Sequence, residues 1–572
     1  MSEYDFIVVG SGPAGATLAS LLSRTPSRPS ILLLEAGGPN ASLDTRLLSE
    51  RYTTFLSGGP AMNWGYQTAP QRALNGRSFD YSRGKGLGGS SAINFACWTV
   101  GPAEDYDEWA RLVGDEGFSW ENAKRRYKRL ETYDFEIADQ HRDYVAPRPE
   151  DHGSRGPVQI EFAKEWERSF QDVLDAGRAV GMEVNRDANS GSPLGIAVVP
   201  ATSRRGVRST ARSAFLEDAP SNLTILTEAP VERVVFEGKR AVAVKTGSKT
   251  YTARKEIILS AGALDTPKLL LLSGVGPAHE LSAHNITPIH HLPGVGKNLQ
   301  DHPFFSLIVR LHPGTNNRST LFNDPAALAA AKQQFHADGS GPLALFYNSI
   351  IMGWAKSSHL FSTPEFAALS PDAQNHLRKP GVPTFELVSH GPAFHAELDP
   401  KEEYLAVMPA QFASQSRGQV TLASADPAAP PVCDPNIFSV PFDRLNMISA
   451  VRAAITLLDS PILKKEIAEG FDVPKSDSDE DIWAFVQERC GTMWHMSCTA
   501  KMGKEGDESA VVDSRFRVMG LEGLRVVDAS VLPFVPNCHI VSVVYMIGAA
   551  AAEKLIVEYD LTEGMAEPVA KI

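Results

Sequence analysis

A glycine-rich turn near the beginning of the chain has the residue types and spacing expected for binding a dinucleotide. Residues Gly10-Ser11-Gly12-Pro13-Ala14-Gly15 form a G-x-G-x-x-G pattern, and Glu35 follows the last glycine by 20 residues. Gly10 permits a tight turn, Gly12 lets the backbone approach a pyrophosphate, and Gly15 lets a helix pack close to a strand. An acid at the position of Glu35 is expected to bind a ribose hydroxyl. The pattern does not separate NAD from FAD, and a glycine turn without a ligand is the alternative.

The elements that must position this turn follow from the apolar residues on either side of it. Short apolar runs at residues 6–9 and 31–34 predict two strands, and residues 14–22 between them predict a helix. In such a β-α-β unit the helix N-terminus offers free N–H groups and a partial positive charge to phosphates. Similar patterns predict two strands joined at Gly238 within residues 229–245, a strand at 256–259, and helices at 266–272 and 545–558.

Composition places the chain among ordinary folded proteins and removes several functional classes. Its 572 residues exceed the size of one packed core. With 43% hydrophobic and 22% charged residues, a mainly disordered or fibrous chain is excluded. The net charge of −13 argues against a nucleic-acid-binding protein, because such proteins carry a basic excess. An uncharged or cationic small substrate is compatible with this charge.

The sequence predicts neither a membrane span nor a disulfide framework. Its longest nearly apolar stretch, Ile540–Ala552, has 13 residues, whereas a span needs about 20. The five cysteines are widely spaced without a CxxC pair, which favours a reducing interior, and no Cys or His set has structural-zinc spacing. Because no secretory signal opens the chain, we expect an intracellular, cytoplasmic protein. The final residues Ala570-Lys571-Ile572 resemble a peroxisomal address, so that compartment stays open.

Four longer blocks resemble the signature segments of one protein family. They are residues 84–94 (GKGLGGSSAIN), 262–276 (GALDTPKLLLLSGVG), 296–302 (GKNLQDH) and 524–530 (LRVVDAS). Their order is that of the glucose–methanol–choline (GMC) family of FAD-dependent oxidoreductases, and the chain is most similar to its aryl-alcohol-oxidase-like and formate-oxidase-like branch. The resemblance extends over nearly the whole chain, so it is far more specific than one glycine turn.

The resemblance implies an α/β fold with two interleaved domains. One is a Rossmann-like FAD-binding domain, predicted to comprise residues 1–160, 200–310 and 490–572. The other is an α+β substrate-binding domain, an antiparallel sheet flanked by helices, predicted to comprise residues 161–199 and 311–489. Motifs with the same apparent task lie far apart in the sequence, which also favours interleaved domains.

FAD is the cofactor that the resemblance implies. In the family, the positions matching Ser90, Asn94, Phe95 and Cys97 line the flavin, the position of residue 231 meets the adenine, and those of residues 528–529 contact the cofactor. Some relatives link the flavin covalently through a histidine, but Ile93 stands at that position, so we expect noncovalent FAD. The predicted cofactor-binding residues are Gly10, Gly12, Pro13, Ala14, Gly15, Glu35, Ala36, Ser90, Asn94, Phe95, Cys97, Val231, Asp528 and Ala529.

Two of the 15 histidines are the predicted catalytic residues. His495 and His539 are 44 residues apart, and in the family both matching positions face the flavin. An alcohol gives up a hydride readily only if its O–H proton also leaves, and an imidazole can take that proton near neutral pH. We assign His495 as the general base and His539 as the group that binds and orients the substrate oxygen, although the roles could be exchanged or shared. Trp494 is expected to form an aromatic wall of the substrate pocket, with core packing as the alternative.

The predicted function is the FAD-dependent oxidation of a primary alcohol, aromatic or allylic, to an aldehyde. The electron acceptor is expected to be O2 or a quinone-like molecule. Formate-oxidase-like relatives carry arginine at the position of His539, and arginine suits a carboxylate, so histidine favours a neutral alcohol. A flavin-bearing lyase or cyclase without net oxidation and a noncatalytic flavin-binding protein are the alternatives. The sequence leaves the particular alcohol, the acceptor and the oligomeric state open.

Overall fold

Two β-sheets and the helices around them account for most of the ordered architecture. The computed structural model describes residues 2–562 except 52–53, 56–58, 316–320, 322–323, 346–349, 390–392, 394 and 400. The C-terminal tripeptide that resembles a targeting signal lies outside these residues.

The first sheet has seven strands and carries the nucleotide-type motifs. The strand Ser2–Val9 lies at its centre and pairs in parallel with Ile31–Leu34 on one side and Lys249–Leu259 on the other. All four residues of Ile31–Leu34 are buried, as expected for a parallel strand covered on both faces. The strand order is Leu223–Leu226, Ile31–Leu34, Ser2–Val9, Lys249–Leu259, Arg240–Thr246 and Arg233–Glu237, with Leu524–Val526 also paired to Lys249–Leu259.

The second sheet has eight strands and its pairings are antiparallel. Its central strands Tyr404–Gln411 and Phe385–Ser389 are almost entirely buried, with helix Pro441–Leu458 packed against them. The strand order is Ile467–Asp472, Leu307–Leu311, Tyr404–Gln411, Phe385–Ser389, Ile350–Ala355 and Gly195–Val199, with the short strands Pro303–Phe304 and Gly491–Thr492 at the side. This arrangement confirms the predicted α/β fold with a second, antiparallel sheet.

Two helices pack directly against each other beneath the glycine turn. Helix Pro13–Ser23 packs against helix Val541–Glu558. Gly548 permits this close approach, because a Cβ atom at that position would clash with the carbonyl oxygen of Ala14. The other helices of eight or more residues are Ala103–Val113, Trp120–Leu130, Phe170–Ala179, Gly262–Leu272, Pro325–Asp338, Pro371–Arg378, Pro441–Leu458 and Asp479–Arg489. Shorter helices are Gly59–Met62, Ala278–Ala283, Pro342–Leu345 and Pro364–Ala367. None of the described helices is both long and apolar enough to cross a membrane.

The predicted elements around the motifs are confirmed, but several begin earlier than expected; the strand expected at 256–259 begins at Lys249. The helix expected at 14–22 spans Pro13–Ser23, and the helix expected at 266–272 begins earlier, at Gly262. The C-terminal helix also begins earlier than predicted, at Val541. All five cysteines are free and buried, in agreement with the expectation that there is no disulfide framework.

Candidate active site

The glycine turn and the two predicted catalytic histidines line the same cavity. Its volume is about 820 Å³, within the range of cavities that hold a cofactor or small ligand (roughly 300–1,000 Å³). We call the part of the lining that contains residues 10–14 and Glu35 the glycine end. We call the part that contains His495 and His539 the histidine end.

The glycine end has the features of a phosphate site. Helix Pro13–Ser23 begins there without a side-chain cap, so its first N–H groups are available to an anion. A Cβ atom added at Gly12 would meet no protein atom within 4 Å, so the space beside this residue is open to a ligand. Gly15 does not line the cavity. Its missing side chain instead allows the helix to approach the carbonyl of Gly10.

Glu35 lines the glycine end, but its carboxylate is already heavily engaged by the protein. One oxygen accepts from the N–H and hydroxyl of Ser11, at 3.1 and 2.6 Å. The other accepts from the N–H groups of Gly37 and Gly86, at 2.9 and 3.0 Å. A carboxylate accepts about four hydrogen bonds. Binding of a ribose hydroxyl by Glu35 therefore stays a prediction that requires the Ser11 hydroxyl to turn away.

The remaining predicted cofactor residues lie along the cavity. The side chain of Asp528 links two segments of the cavity lining, because it accepts hydrogen bonds from Gly262 N and Thr266 Oγ1 at 2.9 and 2.6 Å. Ile93, at the position of the covalent link in some relatives, is buried and also lines the cavity. The lining residues among those predicted are Gly10, Gly12, Pro13, Ala14, Glu35, Ala36, Ser90, Asn94, Phe95, Cys97, Val231, Asp528 and Ala529. Their individual contacts with a cofactor stay predictions.

The two histidines converge although they belong to distant segments. His495 follows the short strand Gly491–Thr492, and His539 lies just before the helix Val541–Glu558. Their ring centroids are 5.0 Å apart, and the rings are nearly perpendicular at 81°. Both side chains line the cavity, so one small substrate group can contact both rings.

His302 is a third histidine at this end, and sequence reasoning did not assign it a role. Its Nδ1 lies 2.9 Å from Nδ1 of His495, so one of the two nitrogens donates to the other. Asp301 accepts from the backbone N–H of both His302 and His495, each at 2.8 Å. The block GKNLQDH contains both residues, but nothing in its spacing indicates contact with a residue almost 200 positions later.

Glu386 is the second residue that the sequence did not reveal. It lies on strand Phe385–Ser389, is 0% exposed, and its Oε2 is 3.0 Å from Nε2 of His539. Its Oε1 has no hydrogen-bond partner among the described residues. A single acid inside an otherwise apolar buried strand was the available signal, because a buried carboxylate needs a partner.

Burial sets the protonation of His495 and His302. It lowers the pKa of His495 well below its ordinary value, with His539, His302 and Arg83 adding to the effect. Burial and the nearby His539 lower the pKa of His302 to about 3. Both rings are therefore neutral at pH 7. Since the His495–His302 contact occupies Nδ1 of His495, its Nε2 is the nitrogen left for a substrate.

Aromatic side chains surround the histidine end. Trp494 lies within 4.6 to 5.8 Å of Phe55, Phe95 and Phe304, measured between ring centroids. Its indole N–H donates to Asp80 at 2.7 Å, which fixes the ring. Trp494, Phe55 and Phe95 line the cavity, so Trp494 contributes both to a pocket wall and to packing.

Comparison with protein families and curated proteins gives a consistent result. Models described as GMC oxidoreductase match residues 4–304 and 414–548. The oxygen-dependent choline dehydrogenase of Pseudomonas savastanoi pv. phaseolicola (strain 1448A / Race 6) is 36% identical over 97% of this chain and 94% of its own. That of Serratia proteamaculans (strain 568) is 34% identical over 99% of this chain and 98% of its own.

Solved structures with the same fold cover the chain almost completely. A variant of formate oxidase from Aspergillus oryzae RIB40 is 28% identical, with a TM-score of 0.87 and coverage of 98% of this chain and 99% of that one. A fungal aryl-alcohol oxidase is 25% identical, with a TM-score of 0.84 and coverage of 98% and 100%.

Proposed function

The chain belongs to the GMC oxidoreductase family, and on that premise we propose that it oxidises an uncharged primary alcohol, aromatic or allylic, to an aldehyde. FAD is its cofactor, and it supplies the hydride acceptor that protein side chains lack. The observation that carries the proposal is the convergence of His495 and His539, whose rings are 5.0 Å apart, on the wall of the cavity that also contains the uncapped helix start.

His495 is the proposed general base. Its ring is neutral because burial lowers its pKa, so a lone pair is available on Nε2 when Nδ1 carries the proton shared with His302. His302 then accepts through its own Nδ1 and holds the His495 ring in this tautomer. A fixed base within reach of the hydroxyl removes the proton as the hydride leaves the carbon.

His539 binds the substrate oxygen in this proposal. Glu386 holds a proton on Nε2 of His539, which leaves Nδ1 for the substrate. The same carboxylate balances the charge of the ring when His539 carries a second proton, and Nδ1–H then donates to the oxygen. In the reverse assignment His539, paired with Glu386, takes the hydroxyl proton and His495 orients the substrate oxygen. The same contacts allow both assignments, and the His495→Ala and His539→Ala variants described below distinguish them.

An uncharged substrate is favoured by the charges along the cavity. The acidic residues among its described lining are Glu35, Asp265 and Asp528, and none of them hydrogen-bonds to either histidine. The histidine end offers aromatic faces and two imidazoles instead. These surroundings suit an apolar or aromatic alcohol. Aromatic faces also bind quaternary ammonium groups, and the carboxylate of Glu386 lies behind His539, so choline, for which the curated relatives are named, is the competing substrate in the test below.

The flavin is proposed to be held without a covalent bond. Ile93 offers no nucleophile at the cavity wall. Burial raises the pKa of the Cys97 thiol to about 12, so this residue stays protonated and is a poor nucleophile.

The test is anaerobic mixing of the FAD-loaded protein with a panel of substrates while the oxidised flavin absorbance is followed. The panel contains a benzylic, an allylic and a short aliphatic alcohol, choline and formate. We expect rapid loss of the absorbance with the benzylic or allylic alcohol, and aldehyde in equal amount. Faster bleaching by choline or formate would overturn the substrate class.

The same experiment separates the alternative functions. Turnover without bleaching and without an acceptor would identify a lyase or cyclase. No turnover with any member of the panel would favour a noncatalytic flavin-binding protein. Addition of air or of a quinone after bleaching identifies the acceptor by the return of the absorbance.

A further inference from the structure

A buried arginine without a carboxylate partner lies directly behind the cavity wall. Arg208, on the short strand Val207–Arg208, is 0% exposed. Its Nη1 donates to the carbonyl and to the side-chain oxygen of Asn94, at 2.6 and 2.7 Å. Its Nε and Nη2 have no hydrogen-bond partner in the described part of the chain.

The positive charge of Arg208 is therefore not neutralised locally. Burial and the neighbouring Arg51 lower its pKa to about 9, so the guanidinium still carries its proton at pH 7. Within the described residues no carboxylate forms an ion pair with it. Because water is excluded, its field extends further than that of a surface charge.

Asn94 connects this charge to the cofactor cavity. Asn94 lines the cavity, and its side-chain oxygen also accepts from Ala96 N at 3.1 Å. Arg208 therefore donates to a residue, Asn94, that itself lines the cavity, and residues 95–97 after it also line the cavity. Hydride acceptance adds one negative charge to a flavin ring, and a fixed positive charge beside the ring favours that form.

We propose that Arg208 is a positioning and charge-supplying residue that stabilises the reduced flavin relative to the oxidised one, through its field and its hold on Asn94. The inference depends on the proposed placement of the flavin against residues 90–97. It does not depend on the identity of the alcohol.

Three substitutions separate charge from hydrogen bonding. Arg208→Lys keeps the charge, Arg208→Gln keeps an N–H donor for Asn94 without charge, and Arg208→Met removes both. Arg204→Gln is the matched control, because Arg204 lies in the same hairpin but is exposed and bonded to Gln159.

The measurement is the dissociation constant of sulfite, which binds oxidised flavin more tightly when positive charge is near and requires no alcohol. We expect Arg208→Gln and Arg208→Met to weaken sulfite binding tenfold or more, and Arg208→Lys and Arg204→Gln to change it less than threefold. A tenfold loss in the stability of the reduced form also lowers the midpoint potential by about 30 mV for a two-electron couple.

Two results would overturn the inference. The first is sulfite affinity within threefold of the parent protein in Arg208→Gln. The second is an equal loss in Arg208→Lys and Arg208→Gln, which would show that the charge of Arg208 does not act on the flavin. If Arg208→Met does not retain FAD, the sulfite dissociation constants of Arg208→Lys and Arg208→Gln still test the inference. If no alcohol in the substrate panel reduced the flavin, the proposed function would be refuted. The sulfite measurement would still test the role of Arg208.

Discussion

The two ends of the cavity are built in different ways. The glycine end is made mostly of backbone from one continuous β-α-β unit, in which Gly10, Gly12 and Gly15 serve the turn and the helix start. The histidine end is made of side chains from four separate segments, with His302, Glu386, His495 and His539 joined only by tertiary contacts. A backbone-made site leaves a local pattern in the sequence, whereas a side-chain-made site leaves scattered residues whose partners appear only in the folded chain.

The comparison predicts that the histidine end carries the chemistry. His495→Ala removes the proposed base, and we expect the rate of anaerobic flavin reduction by the best alcohol to fall about 10²-fold or more, the usual scale for a lost general base. Stopped-flow absorbance measures this rate. A fall of less than threefold would contradict the assignment, and a larger fall in His539→Ala than in His495→Ala would exchange the two roles.

The glycine end should affect cofactor binding and leave the fold intact. In Gly12→Ala the added methyl group meets no protein atom, so we expect unchanged stability of the cofactor-free protein. A methyl group forced into a close contact with phosphate costs about 1–3 kcal/mol, which corresponds to roughly tenfold or more in FAD affinity. Titration of the apoprotein with FAD measures it.

Gly38→Ala is the control for that substitution. A Cβ there also meets no protein atom within 4 Å, but Gly38 does not line the cavity. Equal FAD affinity in both variants would contradict the placement of the phosphates beside Gly12.

Glu386→Gln tests whether the buried carboxylate acts through His539. The substitution keeps the shape and a hydrogen-bonding group but removes the charge, and a hydrogen bond to a charged group contributes about 1.5–3 kcal/mol. We expect kcat/KM for the best alcohol to fall about tenfold with His495 still in place. Restoration by Glu386→Asp to an intermediate value would support a charge effect, whereas a kcat/KM within threefold of the parent protein in Glu386→Gln would reduce Glu386 to a packing role.

The smallest expected effect is that of acid on the rate of flavin reduction. Because the pKa of His495 is well below its ordinary value, the base remains unprotonated as the pH falls from 8 to 6.5. We expect the rate constant to change less than about twofold over this interval. Half-loss of the rate near pH 6.5 would show a base with an ordinary pKa.

The lowered pKa values of His495 and His302 also predict how the free energy of unfolding changes with pH. His495 and His302 have lowered pKa values in the folded protein, so the unfolded chain binds more protons below about pH 6.5. The free energy of unfolding should therefore fall as the pH decreases through that region. Denaturant titrations of FAD-loaded protein at pH 6.5 and pH 5.5 check this expectation. The interval lies below the range in which His152, whose pKa is raised to about 9, contributes most of its opposite effect.

How much the sequence revealed differs between the two ends. The β-α-β unit, the fold class, the family and its cofactor were predicted correctly, because Gly10–Gly15 and the block at 84–94 are contiguous. His495 and His539 were placed together by resemblance, and the structure brings their rings together. Their chemical roles and the division into two discontinuous domains stay predictions.

The supporting residues were missed for a physical reason. Contact between His302 and His495 depends on how strand Pro303–Phe304 pairs with Gly491–Thr492. Contact between Glu386 and His539 depends on how the second sheet lies against the start of helix Val541–Glu558. Neither packing arrangement is encoded in local periodicity, whereas helix ends shifted by only a few residues because their signals are local.

The five buried cysteines have a practical consequence for handling this enzyme. Burial raises the pKa of Cys97 and Cys498 to about 12 and shifts the other three thiols in the same direction. Hydrogen peroxide and alkylating reagents attack the thiolate, so sulfhydryls kept protonated and out of solvent react slowly. Preparations should accordingly keep their activity during storage in air without added reductant.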